Sequence, residues 1–406
     1  MKTKYSIKPI LMILIIMGLG ITAWSNINSI YNYIYKSTLD FDLYKNEAYE
    51  GGTRESELKS FIEAGIKVAN AQSKLQEKFP DQKKHRVFHA KQHACLTGKL
   101  NLILYRPLDV NQETYVGLFS GNEEKSFDFI ARYSNGLGFI QHDKLPDVRG
   151  LAIKVLNVKS EQTGEVKNID LLTTNSPTPA AKNLNDFIDF MEAVVDHGPN
   201  VGLPLFLSKH PSSAKSLISA TGILPYKIKS LATTQFWSGH PYLLGPNKAM
   251  KFTFIPVQKN EPRLFDITDM GKNYLRKELA ERLSKNQVKY ILALQLEIDA
   301  IKTPIENNLV EWKVEDSPVI PVAELVFEKQ NIISESGEVS NKIDEVCENL
   351  AFTPGNYIPE HRPLSNMGRG RLFAYEVSQL GRQVQLNNQT IETVNSLRKL
   401  SKAEVK

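Results

Sequence analysis

The sequence predicts an α+β fold: a large closed β structure with helices packed around it. Three observations support this. Short runs rich in β-branched and aromatic residues recur along the chain, separated by Gly, Asn, Asp or Pro. Helical periodicity is confined to a few segments between and beyond those runs. No repeat of fixed period is present, which excludes solenoids and propellers. A length of 406 residues suits one large domain with appendages, or two domains.

In chain order, Lys2, Lys4 and Lys8 precede an apolar run over 10–24, broken only by Gly18, Gly20 and Thr22. That length suits a signal-peptide core better than a membrane span of about 20 residues. Ala23-Trp24-Ser25 offers a small-x-small cleavage site, with an uncleaved anchor as the alternative. Either implies export, so a periplasmic, extracellular or membrane-anchored protein is expected. Residues 26–54 read as a polar, tyrosine-rich linker or arm, and 55–406 as the folded domain. Over 55–79 the positions Leu58, Phe61, Ile62, Ile66 and Ala69 recur at helical spacing until Pro80 stops them. Strands are expected at 87–104, 115–119, 127–133, 151–155, 169–172, 250–257, 290–298 and 319–327. Helices are expected at 186–195, around 270–283, and at 390–402. The polar segment 331–344 reads as a surface loop.

Composition narrows the function. The hydrophobic fraction of 41% and the 20 prolines belong to an ordinary globular chain. A net charge of +5, with 50 basic residues scattered among 45 acidic ones, argues against nucleic acid as a partner. Cys95 and Cys347 could form one bridge in an oxidising compartment, and their separation leaves the question open. With no Cys-x-x-Cys, a thiol redox site or a cysteine-rich zinc site is not expected.

The chemistry concentrates near the end. Read as a helix, Arg371-Leu-Phe-Ala-Tyr375 through Arg382 places the tyrosine and both arginines on one face. A guanidinium close to a phenol favours the phenolate. A phenolate is a hard anionic donor, and tyrosine is one of the few residues that hold haem iron. On spacing alone, an amphipathic helix with two surface arginines and a packed tyrosine is the favoured explanation of the pattern. His85, His89 and His93 recur every four residues, but no glutamate completes a zinc-protease motif. On a strand the three would spread over about 26 Å, too far for one metal. Gly368 and Gly370 lack the third glycine of a dinucleotide turn and suggest a close backbone approach before the tyrosine helix.

Taken together, these stretches resemble the haem catalases. Arg86-Val-Phe-His89-Ala-Lys91 is similar to the family's distal-histidine block. Ala131-Arg132-Tyr-Ser134 with Asp147-Val-Arg-Gly150 resembles the next, and Asp170-Leu-Leu-Thr-Thr174-Asn175-Ser-Pro177 the third. Asn349 to Asn356 resembles the lead-in to the proximal helix, and Arg371 to Arg382 that helix itself. The matches keep the family's order over 86–382. The resemblance implies a closed antiparallel β-barrel with surrounding helices and haem b in a barrel/helix pocket. It makes Tyr375 the iron ligand, supported by Arg371, and points Arg86, Arg132 and Arg382 at the haem propionates. His89 becomes the distal acid–base group, with Ser134 fixing its tautomer, and Phe187 the best candidate to stack on the haem.

There are two departures. The family's paired asparagines read Thr174-Asn175 here, so a shorter hydroxyl replaces the amide that orients peroxide, with Asn175 kept as the second catalytic polar group. Phe88 replaces the usual valine before His89. The expected activity is therefore peroxidase chemistry on hydrogen peroxide or organic hydroperoxides. A small organic donor would return the electrons, and catalase turnover would be modest. The alternatives are a lipid-hydroperoxide isomerase or lyase resembling the allene oxide synthases, and a haem-binding protein with little turnover. Membrane attachment, if any, would come through the N-terminal segment.

Overall fold

The computed structural model describes residues 42–82, 86–103, 115–121, 124–221, 228–258, 271–332 and 341–382. One sheet dominates: β1 (Gln92–Leu102), β2 (Ser126–Asn135), β3 (Arg149–Lys159), β4 (Val166–Thr174), β5 (Phe236–Trp237), β6 (Tyr242–Leu244), β7 (Lys248–Pro256), β8 (Val288–Leu296) and β9 (Ile320–Phe327). The order is β5-β4-β3-β2-β1-β9-β8-β7-β6, every pairing is antiparallel, and an added β5–β7 pairing closes eight strands into a barrel. Closure leaves no free edge along those eight strands. The predicted fold class holds.

Alternation along the strands explains both faces. Leu96, Leu100, Phe129, Ala131, Tyr133, Leu151, Ile153, Phe252, Phe254, Tyr290, Leu292, Leu325 and Phe327 fill the barrel as one buried cluster. The inward phenols are satisfied, since Tyr133 bonds Tyr290 at 3.1 Å and Tyr290 donates to the Leu231 carbonyl at 2.6 Å. The intervening residues Cys95, Ile130, Ala152 and Leu172 form a second, outer cluster with Leu350, Phe352 and Tyr375. The functional cavity lies on that outer face.

The helices are α1 (Arg54–Lys78), α2 (Leu184–His197), α3 (Pro199–Lys209), α4 (Ala214–Thr221), α5 (Tyr274–Lys285), α6 (Asn341–Asn349) and α7 (Ser365–Gly381). Thr53 starts α1 with a capping box to Ser56. Leu58, Phe61, Ala64 and Val68 of α1 pack on Leu184 and Ile188 of α2 and on Met367 and Phe373 of α7.

Several expectations shift. The first strand begins at Gln92, not 87, because His89 takes a left-handed backbone (φ 60°) incompatible with a strand. The stretch expected as a strand over 115–119 is a single 3₁₀ turn, Gly117–Phe119, opened by Gly117 at φ 58°. Gly368 and Gly370 lie within α7 rather than before it. The expected loop ends in the first turn of α6. Helices α3 and α4 and the short β5 and β6 carry too little periodicity to be read from sequence. The end of the expected linker packs onto the domain: Tyr44 is buried, and Glu47 pairs with Arg362 and Arg369. Residues 1–41, His85 and the helix expected at 390–402 lie outside the described residues.

Two links fasten the outer layer to the barrel. Lys154 and Asp170 face each other across β3 and β4 and form a fully buried ion pair at 2.6 Å. The second Asp170 oxygen accepts from the Thr353 N–H and the Asn356 amide, both at 2.8 Å, which pins the lead-in to α7. The other link is covalent. Cys95 of β1 and Cys347 of α6 form a disulfide with Cα atoms 5.7 Å apart, answering the open pairing question. Asp170→Ala would strand the Lys154 charge in the interior, so equilibrium unfolding should show a loss of about 3–5 kcal/mol.

Candidate functional site

The outer face of β2–β4, helices α2 and α7, and the segment before β1 enclose a cavity of about 280 Å³. Its lining includes Arg86, Phe88, His89, Arg132, Ser134, Thr174, Phe187, Arg371, Tyr375 and Arg382, ten of the eleven residues singled out above with Phe88 added.

His89 is held by its backbone and its ring. Its N–H donates to the Gly136 carbonyl at 2.8 Å and that of Ala90 to the Leu137 carbonyl at 3.0 Å. Asp147 braces that loop from behind, with Oδ1 accepting from the N–H groups of Gly136 and Leu137. Ring Nδ1 lies 3.0 Å from Ser134 Oγ. The ring rests on Gly150, where an added Cβ would stand 2.7 Å from His89 Cε1 and 3.1 Å from Ser134 Oγ. Burial, then the Arg132 and Arg371 cations, push the His89 imidazole down to about 3, so it is neutral at working pH. Burial raises Asp147 to about 6, against the pull of Arg149.

From α7, Arg371 Nη2 donates to the Tyr375 oxygen at 3.0 Å, with its guanidinium carbon 5.1 Å from the phenol ring centre. Arg371 Nη1 donates to His240 Nδ1 at 2.8 Å. Burial, then Arg371 and Lys251, hold His240 well below the usual histidine range, so its ring accepts rather than repels the guanidinium. A cation fixed on a phenol oxygen stabilises negative charge there.

Three further arginines converge on one carboxylate. Arg132 Nη2 donates to Glu348 Oε1 at 2.9 Å, and Arg86 Nε lies 3.5 Å from Glu348 Oε2. Burial would raise Glu348, but Arg132, Arg86 and Arg382 outweigh it and hold the carboxyl at about 2. Three cations of this group face one anion among the described residues, an excess of two positive charges. Among the described residues, Arg86 Nε and Arg382 Nη1 are buried without a hydrogen-bond partner, as are both amide atoms of Gln379, one turn beyond Tyr375. Desolvated donors of this kind call for an anionic ligand.

A scan against protein-family models matches residues 64–404 to the Catalase family. The chain belongs to the catalase family. No curated protein matches it. Catalases are haem oxidoreductases that act on peroxide, and this one is a haem catalase-like, peroxide-cleaving enzyme. The residues present fit the cofactor. A haem carries two propionates, the charge that the arginine group lacks, and a phenol oxygen with a fixed counter-cation stands in the same cavity.

Asn175 is the predicted residue that the fold keeps out of the cavity lining. Its Oδ1 accepts the Arg149 N–H at 2.7 Å, capping the start of β3. Phe187 lines the cavity beside Phe88, ring centres 5.2 Å apart. His93 does not share the face of His89: it is fully buried and bonds Asn135 Oδ1 at 2.6 Å. Among the described residues no group of three His, Cys, Asp or Glu is placed to hold a metal ion. Glu348, His240, Gln379 and the bracing Asp147 were not read from the sequence. Only Asp147 and Gln379, each inside a quoted motif, carried any signal. Gly150→Ala should displace the His89 ring while keeping the fold. Peroxide turnover should drop by roughly 10²–10⁴-fold at unchanged haem content.

Proposed function

We propose that this catalase-family enzyme is a haem b peroxidase that reduces hydrogen peroxide or organic hydroperoxides and has little catalase turnover. One observation carries the reading: His89, Thr174 and the Arg371–Tyr375 pair line one cavity, while Asn175 lies outside its lining with its oxygen on the Arg149 N–H. When bound, haem b supplies a redox-active iron that polarises peroxide and takes up the oxidising equivalents of its O–O bond. With haem bound, Tyr375 Oη would hold its iron, and Arg371, steadied by His240, would set a fixed cation against that oxygen. Arg86, Arg132 and Arg382 hold the propionates, where planar guanidinium forks suit carboxylates. With Nδ1 engaged by Ser134, His89 Nε2 takes the first peroxide proton and returns it to the leaving oxygen.

The distal side supports peroxidase over catalase balance. Disproportionation requires a second peroxide to be oriented as reductant. Thr174 offers one short hydroxyl, 3.5 Å from the Ser176 carbonyl, in place of an amide. Phe88, Phe187 and Phe190 make the same side apolar and aromatic, which suits an organic substrate or donor. We place the enzyme outside the cytoplasm, a reading supported by the apolar run 10–24 and by the Cys95–Cys347 bridge.

Three assays on the haem-loaded protein test the function: oxygen release from hydrogen peroxide, oxidation of an organic donor, and consumption of a fatty-acid hydroperoxide without donor. Donor oxidation should exceed oxygen release. Brisk oxygen evolution would contradict the reading, donor-free consumption would support the isomerase, and silence in all three a binding protein.

The pH profile separates two groups. Below about pH 6 Asp147 gains a proton and weakens its hold on the loop carrying His89, so kcat/KM for peroxide should fall there. Asp147→Asn keeps the acceptor oxygen but removes that titration. The plateau should then extend down towards pH 3, where His89 itself protonates. An acid limb that stays near pH 6.5 in the variant would show His89 titrating normally and contradict its buried, cation-flanked setting.

A further inference from the structure

A second cavity, of about 260 Å³, adjoins the first and shares Val87 and Phe88 with it. The remaining wall comes from the end of α1, the end of α2 and the loop around Phe139. Phe79, Phe88 and Phe139 line it together with the aliphatic Leu75, Val87, Val194 and Val195. Phe79 and Phe139 stack with ring centres 5.2 Å apart and planes inclined by 19°. Phe88, on the side of the haem cavity, lies almost parallel to Phe190 at 5.8 Å. The charged groups at the rim are already engaged. Lys78 Nζ donates to the Val195 and Asp196 carbonyls, and the Asp196 carboxylate pairs with Lys74 at 2.7 Å. Phe79 is 36% exposed and Asp196 and His197 are exposed, so the cavity meets solvent at that rim.

From this geometry we infer that the second cavity is a binding site for a small neutral aromatic molecule of the phenol class, separated from the haem cavity by the Phe88 ring. A small neutral ring with one hydroxyl suits a wall of three phenylalanines and four aliphatic side chains whose charged neighbours are engaged. His197 at the rim provides a polar partner for a hydroxyl. In the peroxidase reading, on which only the ligand's role rests, the occupant is the electron donor. Two phenols each give up one electron and one proton. The hydroperoxide ROOH takes up both electrons and both protons, its O–O bond breaks, and one ROH, one water and two phenoxyl radicals result. A donor held against Phe88 delivers its electrons without entering the space above His89, so donor and peroxide do not compete.

Calorimetric titration of phenol into the haem-loaded protein, with the haem Soret band followed in parallel, tests the site. One saturable site is expected, with the Soret band unmoved and the affinity about tenfold weaker in Phe79→Ala and in Phe139→Ala. Both side chains are only partly buried, so these variants should remain folded. Phe88→Ala should join the two cavities, and phenol should then shift the Soret band. The inference is overturned by the absence of saturable binding, by equal affinity in wild type and both rim variants, or by a Soret shift in the wild type, which would put phenol in the haem cavity. Binding as expected without peroxide-driven oxidation would uphold the site and sink the peroxidase reading alone.

Discussion

Buried positive charge constrains this molecule more than any other feature. Arg86, Arg132 and Arg382 converge in the cavity wall on the carboxylate of Glu348, and two of them have buried donors with no partner among the described residues. Desolvating a guanidinium costs several kcal/mol unless an anion compensates. A protein that holds this arrangement has room for a dianionic ligand, and the fold provides for one. Arg132 comes from β2, Glu348 from α6, and Arg382 caps α7, so three separate elements must be held in register for the charges to meet.

The barrel supplies that register. Strand alternation sends Ala131 and Tyr133 inward and Arg132 and Ser134 outward, so the packing of the core also aims the site. Cys95 faces Arg132 across the β1–β2 ladder, and its partner Cys347 directly precedes Glu348. The disulfide therefore ties the two halves of the main ion pair together. Asp170 does the same for the approach to α7 by binding Thr353 and Asn356. On the far side of the cavity His89 depends on a left-handed backbone, a loop braced by Asp147, and the bare surface of Gly150. The groups proposed for proton chemistry and for anion binding are thus positioned by different parts of the cavity.

How much of this was legible in the sequence depended on the kind of signal. Strands with strict alternation, such as those around Ile153 and Leu292, were readable because one face fills the barrel. The pre-strand loop at His89 was not, because Val87 and Phe88 carry β propensity while tertiary hydrogen bonds to residues 136–137 impose another backbone. The two-residue β5 is too short for any period, yet it closes the barrel. Most site residues were reached through motif resemblance. Glu348 and His240 were missed because a lone Glu or His beside ordinary neighbours looks like solvated surface until the fold brings arginines to it. Asn175 has the residue type of a catalytic amide, and the structure puts it outside the cavity lining with its oxygen on the Arg149 N–H.

The central proposal is that Tyr375, hydrogen-bonded by Arg371, would receive the iron of a haem whose propionates the arginine group would hold. The absorption and resonance Raman spectra of the haem-reconstituted protein test it most directly in wild type and Tyr375→Phe. The wild type should give the signature of a five-coordinate ferric haem with a phenolate ligand, and the variant should lose that signature while still taking up haem through its arginines. A spectrum unchanged by the substitution would contradict the account, because the iron would then be held by some other group.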